Sequence, residues 1–82
     1  MNKEMLKSLI ESKLPGTTAI IDSDDNVHFE AIVISESFAG VVSKVKQQQM
    51  VYAVINDFIA SGELHAIAMK TYIPETWQKL EV

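Results

Sequence analysis

Two β-branched runs either side of a short polar turn limit the fold of this chain more than any other feature. TTAIIDS (Thr17 to Ser23) and HFEAIVIS (His28 to Ser35) flank Asp24, Asp25 and Asn26, whose side chains readily close a turn on their own backbone. The pair reads as an antiparallel hairpin. What remains must supply a core for it without covalent help, because the chain has no cysteine and so neither a disulfide staple nor a thiolate metal site. At 82 residues it is one domain spanning residues 1–82, with room for a single core.

The segments flanking the hairpin change period. Met5, Leu6, Leu9, Ile10 and Leu14 recur at helical spacing, with Lys3, Lys7, Glu11 and Lys13 on the other side, and Pro15-Gly16 ends that helix. Beyond Phe38, FAGVVSKVKQQQ is less regular and suggests a short helix and a turn, with Ser43 as an N-cap. Val51, Val54, Ile55, Phe58 and Ile59 then mark one face of a long helix that Gly62 is placed to end. A third strand is expected from Leu64 to Tyr72, and Pro74 opens a short closing helix, PETWQKL.

The order is α-β-β-α-α-β-α, an α/β (α+β) arrangement. A helical crossover from the hairpin to the last strand makes that strand parallel to the second. The result is a three-stranded mixed sheet with helices on one face. Ile67 and Met69 point to the helices, while Ala66, Ala68 and Lys70 take the open face.

This topology has a chemical consequence. Parallel strands begin at the same end of a sheet, so His28, opening the second strand, and His65, opening the third, are expected to meet at one rim. Neutral imidazole is a common metal ligand and can replace thiolate on an iron-sulfur cluster. Two imidazoles cannot complete a four-ligand site, so the remaining ligands would come from a partner.

Other chemistries find less support. The net charge is −4 and every basic side chain is Lys, which disfavours strong duplex binding. Ser43, Lys44 and Lys46 could still meet phosphate or an acidic partner, although the G-x-x-G loop of KH domains is missing: Gly40 is followed by Val41, Val42 and Ser43. DSDDN fails as an EF-hand loop, since Val27 and Val33 stand where Gly and Glu are needed. No apolar run approaches the roughly 20 residues of a membrane span. The N-terminal helix carries Glu4 and Glu11 and does not read as a signal peptide, so a cytoplasmic location is expected. No cysteine, and no convergent Ser, His and Asp, supports nucleophilic catalysis; the chain reads as a non-enzyme.

Three stretches carry a resemblance. HFEAIVISESFAG, SKVKQQQMVY and LHAIAMKTYIPETW together resemble the BolA family, and most closely its IbaG-type branch. The chain departs from the common pattern at Ile73, where many members have Thr, and at Lys44, where Arg is common. The resemblance implies a class II KH-like fold and a non-enzymatic partner of monothiol glutaredoxins in iron-sulfur and stress homeostasis. It implies a [2Fe-2S] cluster shared with the glutaredoxin and its glutathione, no cofactor when the chain is alone, and His65 and His28 as ligands. Some members regulate transcription by binding DNA, which makes a KH-like nucleic-acid module using Ser43, Lys44 and Lys46 the alternative reading. A homodimer is compatible with either.

Overall fold

A computed structural model describes residues 1–64 and 66–81 of the chain. His65, on which one of the two expected ligands falls, lies outside the described residues. Helix α1 spans Lys3–Lys13; the Asn2 side chain caps it by accepting from the Met5 N–H at 2.8 Å. Strands β1 (Thr17–Asp22) and β2 (His28–Ser35) pair antiparallel, from Thr17 opposite Ser35 to Asp22 opposite Glu30. Strand β3 (Ala66–Tyr72) pairs parallel with β2, His28 opposite Ala66 and Ile34 opposite Tyr72. The sheet order is β1-β2-β3, the mixed sheet expected, with β2 central.

Helix α2 spans Lys44–Ala60 and α3 spans Pro74–Glu81. Ser43 caps α2 through its Oγ and the Lys46 N–H, and Gly62 leaves the helix at φ +83°, a conformation that favours glycine. Among the described residues no helix is long and apolar enough to cross a membrane.

Two expectations need correction. The irregular stretch after β2 was expected to hold a short helix beginning at Phe38; the helical piece is instead one 3-10 turn, Glu36–Phe38. Ser35 starts it by accepting from the Ser37 N–H, and Ala39 (ψ +127°) and Gly40 (φ +80°) carry the chain out of helical space, so the turn cannot continue. At the other end, the third strand was expected from Leu64, but Leu64 is not part of the strand, which is described over Ala66–Tyr72. Leu64 is a core residue whose N–H donates to the Phe58 carbonyl, which makes it part of the closure of α2.

The core lies between the helices and one sheet face. Leu6 and Ile10 of α1, Val51 and Ile55 of α2, and Phe29, Ala31 and Val33 of β2 are buried together with Phe38 and Leu64. Burying each large aliphatic or aromatic side chain contributes about 1.5–3 kcal/mol. On β3, Ile67 and Met69 pack against this cluster while Ala66, Ala68 and Lys70 are exposed, the alternation expected.

Candidate functional site

The β1–β2 turn is wired by its own polar side chains. Ser23 Oγ accepts from the Asn26 N–H at 2.9 Å and donates to the His28 carbonyl at 2.7 Å. Asn26 takes φ +58°, which Asn tolerates better than most residues. Asp25 Oδ1 accepts from the Val27 and His28 N–H groups, each at 2.9 Å. Its second oxygen, Oδ2, lies 2.8 Å from His28 Nδ1. The backbone N–H and ring of His28, followed by the Val27 N–H, hold the Asp25 carboxyl well below the ordinary carboxylate range.

His28 thus stands at the first position of the central strand with its ring 71% exposed and one nitrogen engaged. The parallel register sets Ala66 opposite it, and the Ala66 N–H reaches the Val27 carbonyl at 3.4 Å. The residue that precedes Ala66 in the chain is His65, outside the described residues. A cleft of about 410 Å³ opens here between the turn, the start of β2 and Ala66 to Ala68. Asp22, Asp24, Asp25 and Glu30 line it, so its field is negative.

Chemically, the rim offers one oriented imidazole whose second nitrogen has no hydrogen-bond partner among the described residues. Among the described residues, no group of three or more His, Cys, Asp or Glu side chains could hold a metal ion. A single imidazole needs further ligands to hold a metal or cluster.

The second set of sequence candidates lies elsewhere. Ser43 is a helix cap. Lys44 turns back onto β3, its Nζ donating to the Thr71 carbonyl and standing 4.5 Å from the centre of the Tyr72 ring. Lys46 remains exposed. Ala66 and Thr71 are five positions apart on β3, about 17 Å at strand rise, so the basic residues and the histidine rim occupy opposite ends of the sheet. Sequence reading did not pick out Asp25 as more than a turn residue; its position three before His28 was the available signal.

The comparisons with known proteins agree with this fold. An uncharacterized protein of Haemophilus influenzae is 44% identical over 73 residues, covering 85% of each chain. The acid stress protein IbaG of Escherichia coli K12 is 40% identical over 57 residues, covering 70% of this chain and 67% of that one. A solved structure of a BolA protein homologue from Coxiella burnetii superposes with a TM-score of 0.82 at 28% identity, over 95% of this chain and 97% of the other. The family model for BolA-like protein matches residues 4–76, nearly all of the sheet and helices described above, and the chain belongs to that family.

Proposed function

We propose that this BolA-like chain is a non-enzymatic adaptor that binds a monothiol glutaredoxin and shares a [2Fe-2S] cluster with it, in iron-sulfur and stress homeostasis. His28 and His65 supply its two ligands, and the partner's thiolate and glutathione supply the sulfur. The observation that carries the reading is the Asp25–His28 contact at the head of the central strand. A histidine that donates one ring N–H to a carboxylate is the usual setting of a metal-ligating imidazole.

When bound, the cluster supplies one-electron and cluster-transfer chemistry, which His ligation shifts to higher potential than all-thiolate ligation. The chain's own work is to hold and aim imidazole at an open rim and to present a negative cleft to the docking protein. The name of the acid stress protein IbaG supports a stress setting, and a cytoplasmic location follows from the proposed partner.

The test is visible circular dichroism of cluster-loaded glutaredoxin with glutathione. Adding this protein should change the spectrum, and His65→Ala and His28→Ala should each reduce that change. A spectrum that the wild-type protein leaves unaltered would falsify the adaptor reading.

A further inference from the structure

We propose that Asp25 is a positioning residue: it fixes neutral His28 in the tautomer with its proton on Nδ1 and its lone pair on Nε2. The geometry leaves the carboxylate little freedom. Oδ1 is held by two backbone donors, the N–H groups of Val27 and His28, and this aims Oδ2 at the ring. Oδ2 then lies 2.8 Å from Nδ1. An ionised carboxylate only accepts hydrogen bonds, so the proton between them belongs to Nδ1. A charge-assisted bond of this kind favours the tautomer with its proton on Nδ1.

The consequence for ligation rests on the function proposed above. With Nδ1 occupied, Nε2 is the nitrogen offered to a shared group, and it is offered as a lone pair from the outset. No tautomer exchange has to precede binding. The same carboxylate that closes the hairpin therefore also decides which atom of His28 does the chemistry.

Asp25→Asn separates the two roles. Its amide oxygen can replace Oδ1 toward the two backbone N–H groups, so the turn keeps its acceptor. The amide NH₂ then replaces Oδ2, and it donates. Turning the amide over would set NH₂ against two backbone donors, so the variant presents a donor to Nδ1 and drives the ring proton to Nε2. The lone pair at Nε2 is lost in that tautomer.

The experiment is long-range ¹⁵N–¹H correlation spectroscopy on histidine-labelled, metal-free protein at about pH 9, above the ordinary imidazole range. His28→Ala assigns the signals. The wild type should show a protonated Nδ1 and an unprotonated Nε2 at His28, and Asp25→Asn should invert the pattern. A wild type with its proton mainly on Nε2 overturns the proposal without recourse to any variant. So does an Asp25→Asn protein, with far-ultraviolet circular dichroism matching the wild type, in which His28 keeps the wild-type tautomer. A second arm mixes each protein with cluster-loaded glutaredoxin and glutathione. Asp25→Asn should weaken the visible dichroism change at sub-saturating protein, because tautomer exchange must then accompany binding, and His28→Ala should weaken it further. If the tautomer inverts and the dichroism change stays at the wild-type level, the tautomer assignment stands and the ligand role of His28 falls.

Discussion

The Thr71 hydroxyl donates to Gln47 Oε1 at 2.7 Å, joining β3 to α2 through two side chains that are 2% and 4% exposed. The bond is one link of a chain, because Gln47 Nε2 also donates to the Val41 carbonyl at 2.6 Å. Gln47 therefore ties the long helix both to the last strand and to the loop before Ser43. Replacing it with Leu leaves a buried hydroxyl and a carbonyl without their partner, and should cost about 2–4 kcal/mol. Thr71→Val should cost less, and the double variant less than the sum of the two, with a coupling of about 0.5–3 kcal/mol. Urea unfolding at constant m-value measures all three. Strict additivity would mean that the two side chains are not energetically joined.

That bridge also marks where sequence reading stops. The sheet, its parallel pairing and the core faces of α1 and α2 follow from apolar periodicity, and the structure bears them out at Leu6, Ile10, Val51 and Ile55. The start of β2 at His28 and the Ser43 cap were legible because turn and cap chemistry is local. Gln47 was not, since a polar residue in a QQQ run reads as solvated until a strand distant in sequence arrives to bury it. Asp25 was legible as a turn residue; its hold on the His28 ring depends on how the turn closes, with Asn26 at φ +58°. Lys44 read as an outward-facing cation for the same reason that Gln47 read as solvated: its partners, Thr71 and Tyr72, lie on β3.

The edge strand β1 offers a second prediction. Ala19 is buried in the core, and α1 engages both of its backbone groups: Glu11 Oε2 accepts its N–H at 2.9 Å and Lys7 Nζ donates to its carbonyl at 2.8 Å. Lys7 and Glu11 also pair at 2.7 Å. Together these contacts dock α1 on the sheet and cover an edge that could otherwise template strand pairing. The Ala19 N–H, and then Lys7, lower the Glu11 pKa below its ordinary 4.5. The sign follows from that direction. The stabilisation is fully present above pH 4.5 and is lost as pH falls through the lower folded-state value. Glu11→Ala should cost about 1 kcal/mol near neutrality. The difference between wild type and Glu11→Ala should shrink on acidification, as read from unfolding curves collected across the acid range. A difference that grows with acid would contradict the assignment.

Lys44 should behave as a structural cation. Its ammonium stands over the Tyr72 ring, which in turn packs against Trp77 with centroids 5.4 Å apart and planes tilted by 47°. Lys44→Met should lower stability by about 0.5–1 kcal/mol, a fall of several degrees in Tm for a domain of this size. It should also alter Trp77 fluorescence. Lys44→Arg retains a cation for the ring and should restore most of both readouts. If Lys44→Met leaves Tm and fluorescence where they were, the contact with Tyr72 has no energetic weight.

Charge around the histidine rim shapes how a partner arrives. Asp22, Asp24, Asp25 and Glu30 line the cleft beside His28, and a protein that docks over them must bring positive charge or be repelled. The association rate with the proposed glutaredoxin should therefore fall as salt is raised, because screening weakens the steering field. Asp24 and Glu30 suit a test because both are exposed and neither is the residue that orients the ring. Asp24→Asn with Glu30→Gln should slow association by about threefold to tenfold at low salt and flatten the salt dependence, leaving dissociation nearly unchanged. Stopped-flow mixing over a salt series reads both constants. An association rate that rises with salt would contradict steering by this rim, and the docking surface would then have to be sought on another face of the sheet.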